Sequence, residues 1–367
     1  MKILLIFQKI NTKKRLEYNI YRGGFFMKDI YLSDFTVVNT ASGNNGEIID
    51  YGVQMVGAPL EWNETMGEGV RIGIIDTGID ANHIELKNRI RDYANFTGGS
   101  TDDVNDENGH GTHISGILCA ERNGVGVIGV APKADLYVAK AFDADGKTDY
   151  ECIEKSVNWL IDKRVDVINM SFSSSGANKQ YAELIKKAYN NGICMICAAG
   201  NEGNLGGNTI GYPARFAETV AVSAVDINKN IADFSSRGNA AEICAAGINI
   251  YSCYPGGTYA TLSGTSMATP IIAGAVAILQ GKCILRYNRR LTPDEVRLLL
   301  NIYTEYLSNG RGRDKNSGYG LFSFGRITDS DYIREIYKKQ LQNRGAETNA
   351  NGLIGVAFAY LAGKLNL

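Results

Sequence analysis

Three residues in this chain could together open an acyl bond: a serine at the mouth of an apolar helix, a histidine between glycines and an aspartate ending a strand. The serine is Ser266, in Gly264-Thr265-Ser266-Met267-Ala268-Thr269-Pro270. An apolar run with many small residues follows it from Ile271 to Leu279. A helix N-terminus carries unpaired backbone N–H groups and the positive end of the dipole. That suits a nucleophile whose attack creates an oxyanion, and it equally suits a plain capping serine. The base must come from a short list, because His83, His110 and His113 are the only histidines. His110 lies in Asn108-Gly109-His110-Gly111-Thr112-His113, where the glycines allow close approach. His110 and His113 share a helix face, as metal ligands can, but no His-Glu-x-x-His pattern accompanies them. Asp76 ends the run Val70 to Ile75, where a short carboxylate can orient an imidazole or cap a turn.

The elements that must position these residues alternate. Strands are expected at Val70–Ile75, Ala134–Phe142, Val165–Ser171, Ile193–Ala199 and Thr219–Val225. Helices are expected at His110–Ala120, Tyr150–Lys163 and Lys179–Asn190, with another starting at Thr292-Pro293-Asp294-Glu295. Such alternation implies an α/β fold with a parallel sheet covered on both faces, and sites at the C-terminal ends of its strands. Asp76, Ser171 and Asn201 all fall at or just beyond such ends.

Composition narrows the class. The 367 residues are 44% hydrophobic and 21% charged, enough for a real core. A net charge of −1 gives no basis for a nucleic-acid partner. Seven cysteines, an odd number without framework spacing, fit free thiols in a reducing compartment. Cys194-Met-Ile-Cys197 has redox or zinc spacing but no second ligand pair. No segment reaches the roughly 18 apolar residues of a membrane span. The apolar stretch Met1–Phe7 is broken too early, by Gln8 and Lys9, for a signal peptide. A cytoplasmic protein is therefore expected, other routes of secretion staying open. Tyr21-Arg22-Gly23-Gly24 can be encoded with a ribosome-binding-site-like stretch ahead of Met27, so residues 1–26 are expected to be translated leader. Residues 27–46 would be a short extension and 47–326 the main domain. Residues 327–367 form a tail of unassigned role, with a charged helix at 331–344 and an apolar run at 352–363.

Asp76-Thr77-Gly78, Asn108 to His113 and Gly264 to Pro270 resemble, in order and spacing, the three signatures of the subtilisin-like serine proteases. The resemblance covers about residues 47–326 and is closest to the bacterial intracellular branch, given also Leu86-Lys87-Asn88 and Asn95-Phe96-Thr97. It implies a three-layer subtilisin-like fold and a serine endopeptidase acting through an acyl-enzyme. Ser266 would be the nucleophile, His110 the base and Asp76 its orienting partner. Asn201, in Ala198-Ala199-Gly200-Asn201, would donate to the oxyanion. Gly146-Lys147-Thr148 and Ser171-Phe172-Ser173 would pair with extended substrate. Ala198, Ala199, Gly200 and Gly211 would form the first specificity pocket, its glycine floor leaving room for a large apolar residue. Tyr150 and Ile153 would line a second apolar pocket.

The same resemblance implies a polypeptide substrate and no cofactor for catalysis, with structural calcium as an expectation. Glu85 and Asn123 would be side-chain ligands, Glu121, Val125 and Val127 would offer carbonyls, and Glu47 would replace the N-terminal ligand. Glu85 stands where aspartate is usual. Thr148 and Ser173 stand where many relatives have glycine, which implies a narrower cleft. Ala246 replaces a turn proline, and Tyr212-Pro213 matches a family cis-proline. Residues 27–46 would cover the cleft, although the Leu-Ile-Pro-Tyr block of intracellular relatives is missing. A maturation protease with one substrate and an inactive binding module are the alternatives. The three intact motifs favour the enzyme.

Overall fold

The computed structural model describes residues 30–32, 36–42, 46–307 and 312–326. The expected leader, the expected helix at 331–344 and the run at 352–363 lie outside the described residues. The chain begins with two strands, β1 (Ile30–Leu32) and β2 (Thr36–Ser42), and a short helix α1 (Tyr51–Met55). Then come β3 (Arg71–Asp76), β4 (Ile90–Asn95), α2 (His110–Cys119), β5 (Asp135–Lys140), β6 (Lys147–Thr148) and α3 (Tyr150–Asp162). Next are β7 (Val167–Met170), β8 (Phe172–Ser173), α4 (Lys179–Asn190), β9 (Cys194–Ala198) and β10 (Thr219–Val225). The last are β11 (Ala241–Ala246), β12 (Ile250–Tyr254), β13 (Thr258–Ser263), α5 (Thr265–Tyr287), α6 (Pro293–Ile302), β14 (Thr304–Glu305) and β15 (Leu321–Phe322).

A nine-stranded sheet runs in the order β14-β15-β11-β10-β9-β7-β3-β5-β4, parallel at every pairing but β14–β15. Its inner strands are buried along nearly their whole length, and mostly apolar, because both faces are covered. The alternation within β3 shows how. Ile72 and Ile74 belong to the core formed with α2 and α5, while Ile75 belongs to the core formed with α3 and α4. Between them Gly73 lets Leu160 of α3 press onto the strand, where a Cβ would stand 2.7 Å from a leucine methyl. Helix, sheet and helix make the three expected layers. Because the strands are parallel, their C-terminal ends lie at one edge, and α2 and α5 begin there.

Helix α5 runs through the centre. Every residue from Thr265 to Cys283 is buried. Gly274 gives it close contact with Val130, to which a Cβ would come within 2.6 Å. Contrary to the reading of the sequence, this helix is long and apolar enough to cross a bilayer, with a mean hydropathy of 1.6. Yet 89% of that window is buried inside the fold, so its apolarity is spent on the core.

Besides β4, β11, β14 and β15, which the sequence reading did not anticipate, two further features were not expected. The 27–50 segment contributes strands: β1 lies between β6 and β8, and β2 is the edge of a second sheet, β12-β13-β2. The hairpin β12–β13 was not foreseen either. β1 has only three residues and shows no period of its own, and β2, β12 and β13 mix small and polar residues with apolar ones, so partners far along the chain define them.

Candidate active site

Asp76 is the last residue of β3 and His110 the first of α2. His110 Nδ1 lies 2.7 Å from Asp76 Oδ1, with both side chains fully buried. In that contact an Nδ1–H donates to the carboxylate, which fixes the orientation of the ring. Asp76 Oδ1 is itself fixed by the Thr77 amide at 2.8 Å. Helix α2 can start here because Gly109 takes a left-handed conformation, with φ 94°. The Tyr254 ring occupies the place where a Cβ on Gly109 would stand.

The sequence reading missed Asp106. Its Oδ1 accepts from Thr77 Oγ and the Gly109 amide, at 2.7 and 2.8 Å. Its Oδ2 accepts from the Thr112 amide and hydroxyl, both at 2.7 Å. One carboxylate thus locks the turn carrying Asp76 to the start of the helix carrying His110. The available signal was an acid four residues ahead of a helix start.

Ser266 sits in the first turn of α5, 0% exposed. Pro270, four residues on, has no N–H, so the Ser266 carbonyl lacks its usual helical donor. The Ser171 hydroxyl supplies one, at 3.0 Å, and in return the Ser266 hydroxyl donates to the Ser171 carbonyl, also at 3.0 Å. Asn169 Nδ2 donates to Ser171 Oγ at 2.9 Å and holds it in place. Asn201 Oδ1 accepts from the Thr265 amide and hydroxyl, at 3.0 and 2.8 Å. That fixes the side chain by its oxygen, beside Ser266, with the NH2 as its other end.

The two expected substrate-pairing segments are β6 and β8, and both already have a partner. Ile30 lies opposite Thr148, Tyr31 opposite Lys147 and Ser173, and Leu32 opposite Phe172, antiparallel on both sides. The Leu32 amide donates to the Gly146 carbonyl at 3.1 Å. Ile30 and Leu32 are buried in the apolar cluster that holds Ile153 and Phe172, with Tyr150 at its edge, while Tyr31 is 43% exposed. The residues expected to line a second apolar pocket are thus packed against the chain's own Ile30 and Leu32.

The walls expected for the first pocket also come together. The Gly211 amide donates to the Ala199 carbonyl at 3.2 Å, and Ser174 and Tyr212 exchange backbone bonds of 2.8 and 2.9 Å. The Tyr212–Pro213 bond is cis. The glycine floor is present, but the Ser173 hydroxyl stands over it: a Cβ on Gly211 would collide with Ser173 Oγ.

Glu47, Glu85, Asn123 and Val127, named as calcium ligands from the resemblance, lie near one another. Glu47 accepts from the Asn123 and Gly124 amides, at 2.8 and 3.1 Å. Glu85 accepts from Tyr259 Oη at 2.7 Å, Asn123 Nδ2 at 3.0 Å and the Val127 amide at 3.2 Å. Burial raises its carboxyl to about 7, and no cationic side chain pairs with it among the described residues. A hard cation would supply that charge, so the donor set fits one, in competition with the amides now held. The Glu121 side chain turns elsewhere, to Arg89 at 2.9 Å and Asn88 at 2.8 Å. Among the described residues no three His, Cys, Asp or Glu side chains form a metal cluster. His83 and His113 are structural: their Nε2 atoms meet the carbonyls of Thr258 at 3.0 Å, and of Ile250 and Ala260 at 3.1 Å. All seven cysteines are free. Cys194 and Cys197 are buried in β9, and burial pushes the Cys194 thiol up to about 12, away from the reactive thiolate.

A doubly covered parallel sheet presenting Asp, His and Ser at one edge defines a class, and comparison with known proteins gives the same class. The pattern of the subtilase family (Peptidase S8) matches residues 67–320. An intracellular serine protease of Paenibacillus polymyxa is 40% identical over 297 residues, 80% of this chain and 89% of that protein. Subtilisin DY of Bacillus licheniformis is 42% identical over 238 residues, 64% of this chain and 86% of its own. Subtilisin E of Bacillus subtilis is 39% identical over 263 residues, 71% and 67%. The chain belongs to the subtilase family and is a serine-type endopeptidase.

Proposed function

We propose that this endopeptidase cleaves peptide bonds with Ser266 as nucleophile, His110 as general base and then acid, and Asp76 as the group that orients and stabilises the imidazolium. The observation that carries the assignment is the buried 2.7 Å contact between Asp76 and His110 at the sheet edge where α5 presents Ser266. For attack, the Ser266 hydroxyl exchanges the Ser171 carbonyl for His110 Nε2. The oxygen adds to the scissile carbonyl as its proton passes to Nε2. The oxyanion takes hydrogen bonds from Asn201 Nδ2 and the Ser266 amide. Collapse expels the amine with the proton from His110, and water repeats the sequence to release the acid. On this reading β1, paired with β6 and β8, takes the place of substrate, and the chain's own extension holds the cleft closed. Both binding edges, β6 and β8, are taken, and a substrate that binds by strand addition needs them.

The loop at residues 121–127, with Glu47 and Glu85, would hold structural calcium. Free buried thiols and the intracellular relative support a cytoplasmic location. The assignment is tested with a fluorophosphonate probe on the full chain: labelling is expected, and Ser266→Ala abolishes it. An unlabelled native protein would favour a binding module, and undiminished labelling of Ser266→Ala would move the nucleophile elsewhere.

A further inference from the structure

The position where the first specificity pocket differs from its expected shape is Ser173. Two glycines, Gly200 and Gly211, would leave that pocket open. The Ser173 hydroxyl stands between them, where a Cβ on Gly211 would collide with it and one on Gly200 would lie 3.4 Å away. It is not held there as part of a network, since it has no hydrogen-bond partner among the described residues. Ser236 Oγ also lies close to Gly200, 3.0 Å from where its Cβ would be. A polar atom with unused hydrogen-bonding capacity therefore stands over the glycine floor, in space a large apolar side chain would need.

We infer that Ser173 restricts this protease to substrates with a small residue (glycine, alanine or serine) on the acyl side of the scissile bond, in place of a large apolar one. The inference rests on the peptidase reading above and names its substrate class. The register of β1 gives the rest of the sequence preference. Leu32 lies opposite Phe172, so a peptide in the same register brings its next residue opposite Ser171, whose carbonyl holds the Ser266 hydroxyl. Upstream, such a peptide places aliphatic side chains where Leu32 and Ile30 are buried, and leaves the position of Tyr31 open to solvent. The preferred segment is aliphatic, any residue, aliphatic, small. The chain's own sequence after Leu32 continues with Ser33, a residue of that small class.

A pocket that must reject bulk discriminates by roughly 10- to 200-fold per misplaced methylene-sized group. The experiment uses the full chain with Leu32→Asp, which expels β1 from its apolar seat, and chromogenic peptides Ile-Ala-Leu-X with X as Ala, Ser, Leu or Phe. The expected result is kcat/KM for Ala and Ser at least about tenfold above Phe. Adding Ser173→Gly shifts the ratio toward Phe by at least the same factor, and Ser173→Ala, which keeps the Cβ, gives an intermediate value. Preference for Phe with Ser173 in place, or a ratio that Ser173→Gly leaves unchanged, would overturn the inference while leaving the protease reading intact. No turnover of any peptide, together with no fluorophosphonate labelling, would overturn both.

Discussion

If β1 holds the cleft closed, weakening its seat should raise activity by a calculable factor. Ile30 is the residue to change, because it is 0% exposed and lies with Ile153 and Phe172 in one cluster. Ile30→Ala removes three carbons from that seat. At about 0.8 kcal/mol per buried methylene this costs about 2.4 kcal/mol. At 1.4 kcal/mol per decade the closed-to-open equilibrium falls about 50-fold. While the cleft is mostly closed, the rate at low substrate is proportional to the open fraction, so kcat/KM should rise by up to that factor. Tyr31→Ala is the comparison: its side chain is 43% exposed, and its rate should rise less than that of Ile30→Ala. The assay is hydrolysis of a short chromogenic peptide, with intact mass checked so that only uncut chain is compared. An Ile30→Ala rate within about threefold of the parent would refute the reasoning, since the calculated effect exceeds that by an order of magnitude.

Other expectations follow from the same structure. Calcium at a hundred times its dissociation constant should stabilise the fold by about 2.7 kcal/mol, which for a domain of this size is roughly 5–10 °C in Tm against chelator. Glu85→Gln should remove most of that difference, and equal melting in calcium and chelator would delete the site. His113 is pushed down to about 3, first by burial and then by the neighbouring His110. The unfolded chain binds a proton at His113 below about 6.5 and the folded one does not until about 3, so stability falls as pH drops through that window. The slope approaches about 1.4 kcal/mol per pH unit below 6. Urea midpoints from about pH 7 to 4.5 should show it, and His113→Gln should flatten it; parallel profiles would mean that His113 is not the cause.

How much was legible in the sequence depended on where each residue's partners lie. Asp76, His110, Ser266 and Asn201 sit in motifs whose glycines, prolines and small residues are demanded locally. Gly109 makes room for Tyr254, and Pro270 frees the Ser266 carbonyl for Ser171. Five strands of the doubly covered sheet, and helices α2, α3 and α4, carry long apolar runs or strong periodicity and emerge within a residue or two of their expected bounds, whereas β4, β11, β14 and β15 were not anticipated. The rest depends on contacts at a distance. β1 is three residues long and is a strand only because β6 and β8 flank it. Asp106 looks like any loop acid until Thr77 and Thr112 close on it. The direction of the Ser173 hydroxyl is a rotamer, and composition carries no trace of it. α5 failed as a membrane-span candidate in the sequence and meets the criterion in the structure, where burial explains its apolarity.

The two ends of the extension are held differently, and that determines how the closed state can respond. β2 pairs with β13 at six partner positions, from Thr36–Ser263 to Ser42–Thr258, whereas β1 has three residues. Residue 264 follows β13 at once and α5 starts at Thr265, so the sheet holding β2 is contiguous with the helix bearing Ser266. Only residues 33–35 separate the two strands in sequence. If β1 leaves the cleft while β2 stays paired, the short link keeps it nearby at an effective concentration of order millimolar. Closure is then intramolecular, and the activity per molecule should not change with enzyme concentration. Measured over roughly a hundredfold dilution, specific activity should be flat. A rise on dilution would mean that β1 reaches the cleft from a second copy of the chain, and the tether argument would fail. A flat profile combined with an active Ile30→Ala variant leaves one arrangement: a cleft closed by its own chain, opened by weakening or cutting β1, with β2 remaining part of the enzyme.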